Sequence, residues 1–168
     1  TSIQYIFYTL APHIFMSDYH LSAKWFATLM LLPWIGVGLG NLLLIVIDGH
    51  TTLNKQLGIG LLISTIGSLL LTLAFPLGYS PTTIMMVVGL FMTSIPFVQN
   101  TTQIGLLSLP KTISGSAIGF LAVGVNFFST SLSTVSAAWD GEVMGLIMLG
   151  TSLLASAIYL YYRHVSIE

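Results

Sequence analysis

The stretch Thr93–Ser133, TSIPFVQNTTQIGLLSLPKTISGSAIGFLAVGVNFFSTSLS, decides how the chain is read. Its pattern predicts two long apolar helices joined by the turn Ser108–Ile113 (SLPKTI). The first helix carries Gln99, Asn100 and Gln103. Gln99 and Gln103 are four apart, and Asn100 and Gln103 are three apart, so all three share one face with Pro96. The second helix carries a stripe of small and polar residues, Ser116, Gly119, Ala122, Asn126, Ser129 and Ser133. An amide deep in an apolar helix is costly unless it meets a partner or a wet cavity. The pair is therefore the expected working surface of a polytopic membrane protein.

Composition points the same way. The chain of 168 residues is 55% hydrophobic and 5% charged, with mean hydropathy +0.94; soluble domains carry charge on about 25% of residues. Net charge is −1, and Lys24, Lys55, Lys111 and Arg163 are the only permanent cations. That set forms no basic patch for nucleic acid and no polybasic segment for anionic lipid. Without cysteine, disulfides, thiolate metal sites and Cys nucleophiles are excluded. No metal or organic cofactor is expected. The chain starts at Thr1 and has no signal-peptide layout, so it is expected to be a piece of a longer protein.

A membrane-spanning helix needs roughly 20 apolar residues, and six candidates follow in order: residues 1–16, 24–47, 57–77, 82–107, 114–138 and 143–162. Ser22 is placed to cap the second. Ser80-Pro81 reads as a cap and first-turn proline for the fourth. The loop 48–56 (DGHTTLNKQ) is the most polar stretch, and Trp139-Asp140-Gly141-Glu142 turns the chain into the last helix. With no linker or low-complexity region, residues 1–168 are taken as one all-α bundle of six membrane helices.

Lys55, Lys111 and Arg163 fall on one side of this bundle, against Lys24 on the other, so the side with three is expected to be cytoplasmic, with both ends of the segment there. The third and sixth spans have no amide, His or charge in their interiors and are expected to face lipid. The others carry Gln4 and His13, then Asn41, then the amide cluster, then Asn126. Three helices followed by three in the same order of roles is the pattern of two inverted three-helix repeats. Gln4 and Tyr8 are four apart in the first span; Trp34 and Asn41 are seven apart in the second. Gly36/Gly40 and Gly115/Gly119 are small-xxx-small pairs, expected to be sites of close helix packing.

This pattern resembles the C-terminal half of a major facilitator superfamily transporter. The closest local likeness is Leu109-Pro110-Lys111-Thr112-Ile113-Ser114-Gly115-Ser116-Ala117, which looks like the entry into the eleventh helix of drug:proton antiporters of the Bcr/CflA type. The resemblance implies a partner half of six further helices, alternating access, and a cavity walled here by Gln4, Tyr8, Trp34, Asn41, Gln99, Asn100, Gln103 and Asn126. It implies efflux of small organic compounds coupled to protons across a bacterial inner membrane. The loop 48–56 stands where the family's gating loop would lie, but Gly40, Asp48 and Lys55 match it poorly and its arginine pair is missing. No Asp, Glu, Lys or Arg lies in the middle of any span, so a proton-sensing carboxylate would come from the other half.

Other classes fit less well. A membrane serine protease needs a histidine in a later helix, whereas the only one after Ser114-Gly115-Ser116 is His164, at the tail. HExxH and phosphate-loop patterns are absent, so an enzyme is not expected. An uptake or exchange carrier for a neutral metabolite, and a self-contained six-helix homodimer or scaffold, stay open. For the amides, the plain alternative is interhelical hydrogen bonding, worth about 0.6 kcal/mol each. His13 reads as an interfacial histidine; His20, His50 and His164 read as solvated.

Overall fold

The computed structural model describes residues 2–108, 110–136 and 141–165. Among these the chain is all-α. Eight helices, α1 (Ser2–His13), α2 (Ala23–Leu29), α3 (Leu31–Ile47), α4 (Leu53–Ala74), α5 (Pro81–Met92), α6 (Ile95–Leu107), α7 (Lys111–Ser136) and α8 (Gly141–Val165), make six rods. α1 continues into a π-helical segment, Ile14–Asp18; α2 with α3, and α5 with α6, each form one interrupted rod. All the rods but the first are long and apolar enough to cross a membrane. The first has twelve α-helical and five π-helical residues, a rise of about 25 Å against a hydrocarbon core of about 30 Å. The multi-pass membrane character expected from composition therefore stands on five rods.

Each interruption has a proline beside it. Pro12 has no N–H to offer the carbonyl of Tyr8, and the ladder re-registers within two residues as a π-turn, closed by Tyr19 N–H donating to the Ile14 carbonyl at 3.3 Å. Pro33 follows the break at Met30, and Pro96 follows the break at Thr93–Ser94. The breaks in the second and fourth rods are absent from the sequence expectation, which ran each as one uninterrupted span. Caps form as expected. Ser22 Oγ accepts from Trp25 N–H at 3.4 Å, and Ser80 Oγ from Thr83 N–H at 3.3 Å with Pro81 in the first turn. The polar loop is shorter than read: Leu53–Gln56 join α4, and the buried Gln56 amide donates to the Asp48 carboxylate at 3.3 Å. Trp139 and Asp140 of the expected turn and the side chain of Ser133 lie outside the described residues, as does Leu109 in the motif that carries the resemblance, whereas Gly141 and Glu142 already belong to α8.

Packing runs α1 on α7, α3 on α5 and α6, α4 on α8, α4 on α5 and α6, α8 on α1, α6 on α7, and α2 on the π-segment. Main chains approach closely where glycines allow it. A Cβ built at Gly36 would run into the Gly89 carbonyl, and one at Gly40 into the Thr93 carbonyl. Matching residues rise together along α3 and α5–α6, so these rods run parallel. Gly60 meets Phe97 and Gly67 meets Phe91 across α4, while Gly145 meets Thr72, making those crossings antiparallel. Between lipid-soluble helices such contacts stabilise by van der Waals fit rather than by water exclusion.

The buried core gathers at one end of the bundle, where the first and third rods finish and the second, fourth and sixth begin. Phe7, Phe15, Leu71, Ile84, Met85, Met92, Met144 and Met148 fill it. Toward the other end α4 and α8 are joined by hydroxyls instead: Ser64 Oγ to Ser152 Oγ at 2.8 Å, Thr65 Oγ1 to Ser156 Oγ at 3.2 Å, and Tyr159 O–H donating to the Asn54 carbonyl at 2.8 Å. That last bond brings Lys55 and Arg163 to the same end of the bundle. The expectation that the third span simply faces lipid is corrected here. α4 buries Gly60, Leu61, Ser64, Gly67, Ser68 and Leu71 against three neighbours. Its small and hydroxylated face packs inward, and Leu62, Ile66, Leu69 and Leu73 stay outside.

Candidate functional site

The first two rods carry the most developed polar and aromatic constellation. Gln4 and Tyr8 stand one turn apart on α1, and Gln4 Nε2 donates to the Tyr8 hydroxyl at 3.4 Å. The Tyr8 ring lies nearly parallel to the Trp34 indole of α3, with centroids 5.9 Å apart and planes at 18°. Phe7, wholly buried beside it, tilts against Tyr8 at 5.7 Å and ties the platform to the core. Trp34 remains 57% exposed although it sits halfway along its rod. Asn41, two turns on, is also exposed; its Nδ2 donates to the Val37 carbonyl at 3.0 Å, which turns one donor back onto the helix.

The stack is possible because α3 is pinned from behind. Pro33, Gly36, Gly40 and Leu44 form its buried edge against α5 and α6, and Trp34 and Asn41 stand one residue round from Pro33 and Gly40. A buried small-residue edge thus fixes which side chains are presented on the open side.

The other expected cavity residues fall elsewhere. Gln99 and Asn100 are half-buried on α6, and Gln103 is exposed. Their rod is held by the buried Pro96 and Phe97 above them and by Thr101, whose hydroxyl donates to the Phe97 carbonyl at 2.6 Å. Asn126 is exposed on α7 and donates to the Ala122 carbonyl at 2.9 Å. Ser116, Gly119 and Ala122 are exposed or open on the same helix, while Ser129 is buried and donates to the Val125 carbonyl. The structure brings Gln4, Tyr8 and Trp34 into direct contact. The side-chain amide of Asn126 is held by its own helix.

The two glycine pairs also separate. Gly36 and Gly40 sit at a close crossing. Among the described residues nothing lies within 4 Å of a Cβ built at Gly115 or Gly119, so this second pair packs against no helix here. Its expected packing role is corrected: α7 meets α1 and α6 through other residues and turns these glycines outward. Sequence reasoning missed Gly60, Gly67, Gly89 and Gly145, the glycines that do carry crossings. Gly60 with Ser64 and Ser68, Gly89 with Thr93, and Gly145 with Gly141 stand at spacings of four, but in a chain with 16 glycines spacing alone does not select them.

α7 and α6 enclose a shallow apolar groove of about 460 Å³, with Leu106, Phe120, Leu121 and Phe128 on its walls. Phe120 and Phe127 project from α7 at 83% and 68% exposure. In the turn after the π-segment, burial of the Tyr19 ring and then the nearby Asp18 carboxylate raise the Tyr19 phenol above its usual value near 10. Among the described residues no group of His, Asp and Glu comes together as metal ligands. Compared with family models, with curated proteins and with solved structures, the chain matches none.

Proposed function

We propose that this chain is one half of a secondary transporter of the major facilitator type, built as two inverted three-helix repeats and working by alternating access with a second six-helix half. The observation that carries the reading is the pairing of rods. Exchange the first three rods with the last three, and the packing pairs map onto one another. First-on-fifth becomes fourth-on-second, third-on-fourth becomes sixth-on-first, first-on-second becomes fourth-on-fifth, and third-on-sixth maps onto itself. Packing of this kind is what a duplicated triplet produces, and it agrees with the order of polar and apolar spans in the sequence.

The face formed by Gln4, Tyr8, Trp34 and Asn41 is then the wall of the substrate cavity, and Gln99, Asn100, Gln103 and Asn126 extend it from the fourth and fifth rods. An exposed indole halfway along a membrane helix, and an exposed amide two turns further on, are poorly solvated by lipid tails, which favours a wet surface for them. The partner half closes the cavity and supplies the ionisable group that senses protons. Efflux of small organic compounds across a bacterial inner membrane, with Lys55, Lys111 and Arg163 at the cytoplasmic side, completes the proposal.

The length of the native polypeptide tests it. Mass determination of the membrane protein carrying this segment is expected to give a product about twice this chain. A stable native product of this size alone overturns the half-transporter reading.

A further inference from the structure

We infer that the Tyr8–Trp34 stack is a recognition platform for an uncharged, planar aromatic compound that also accepts and donates hydrogen bonds. The inference deepens the transporter reading and rests on it, because it takes the α1–α3 face as cavity wall. Tyr8 lies in an offset stack against the indole, with centroids 5.9 Å apart and planes at 18°, and Trp34 is still 57% exposed. A flat ligand laid on the open side extends an aromatic stack already two rings deep, and such stacking favours planar over puckered rings. Trp34 Nε1–H has no hydrogen-bond partner among the described residues and is available to a ligand acceptor. Asn41 spends one donor on Val37 and keeps its carbonyl oxygen for a ligand donor.

Dimensions and charge narrow the class. Trp34 and Asn41 are seven residues apart on one helix face, a rise of about 10 Å, the length of two or three fused rings. The charged side chains Asp18, Lys24, Asp48, Lys55 and Arg163 all belong to rod ends or connecting turns, so among the described residues nothing on this face compensates a ligand charge. Neutral fused-ring compounds fit, and anions do not.

The test uses 2-naphthol and its saturated counterpart decahydro-2-naphthol, which has the same carbon skeleton and hydroxyl without the flat rings. Binding of each to the purified full-length protein in lipid nanodiscs is measured by equilibrium dialysis, with empty nanodiscs subtracted. The expected result is a preference of about three- to tenfold for 2-naphthol, lost in Trp34→Leu and kept in Trp25→Leu. Should Trp34→Leu fail to fold, a full-length protein with every tryptophan but Trp34 replaced by Phe, Trp25→Phe and Trp139→Phe among them, gives a second readout: 2-naphthol quenches its emission and the saturated alcohol does not. Equal binding of the two compounds, or a preference untouched by Trp34→Leu, overturns the inference. Because binding is read without transport, a protein that binds 2-naphthol in this way and moves nothing across liposomes would sink the carrier reading alone.

Discussion

Gly36 of α3 lies against the backbone carbonyl of Gly89 of α5, and a Cβ at Gly89 would in turn stand 3.0 Å from the Leu32 carbonyl. This backbone-to-backbone crossing sets the spacing of the second and fourth rods, and so the direction in which Trp34 projects. Gly36→Ala is expected to destabilise the bundle by about 1–3 kcal/mol, because main chain cannot yield as a flexible side chain does. Gly115→Ala and Gly119→Ala, with open space around them, are expected to be neutral or slightly stabilising by helix propensity. Thermal unfolding in mild detergent separates the cases; a Gly36→Ala protein as stable as Gly115→Ala contradicts the crossing.

Ser64 and Ser152, both buried, share a 2.8 Å hydrogen bond between α4 and α8. A double-mutant cycle of Ser64→Ala and Ser152→Ala should give a coupling of about 0.6 kcal/mol, and no more than about 1.7 kcal/mol. Zero coupling means the two hydroxyls satisfy their own helices independently.

Much of this was legible beforehand. Long apolar runs with charges only between them announced membrane helices, and Ser22 and Ser80-Pro81 marked two starts by ordinary capping chemistry. That Gln4 and Tyr8 share a face followed from a spacing of four; the bond between them is seen only in the structure. The Tyr8–Trp34 stack did not follow from spacing, since it joins two helices whose relative rotation depends on where Gly36 and Gly40 bury their edge. The third span misled for a related reason. Lacking amides it read as a lipid-facing rod, but its Gly, Ser and Thr residues make one face small enough for close approach, and hydroxyls can satisfy themselves across a seam without any strongly polar residue. The inward edge of α7 was equally hidden, because GxxxG at Gly115/Gly119 carries no information about which side a neighbour occupies.

Gln99→Leu combined with Gln103→Leu is expected to abolish substrate movement while membrane insertion and expression stay normal. Counterflow in reconstituted liposomes, alongside the amount of folded protein recovered, distinguishes the outcomes. Loss of the folded protein instead assigns these amides to structure.

Tyr19 gives a pH dependence with a definite sign. Ring burial, then Asp18, raise its phenol above the unfolded value near 10. A raised pKa means the folded state favours the protonated phenol, so the stabilisation is complete below about 10 and is lost as pH rises through the folded value. Thermal melts between about pH 9 and 11.5 should therefore show a fall that Tyr19→Phe diminishes. An identical fall in Tyr19→Phe assigns it to other groups.

The most direct measurement asks whether the α1–α3 face is wet at mid-membrane depth. These 168 residues contain no cysteine, so once any cysteine elsewhere in the full-length protein is replaced by Ser, single substitutions report one position each. Trp34, Leu62 and Leu154 are matched in exposure, at 57%, 60% and 63%, and only their surroundings should differ. A charged maleimide that needs a hydrated thiolate is expected to label Trp34→Cys and Asn41→Cys in native membranes and to leave Leu62→Cys and Leu154→Cys unmodified. Equal protection of all four positions would place Trp34 and Asn41 against lipid and contradict the cavity.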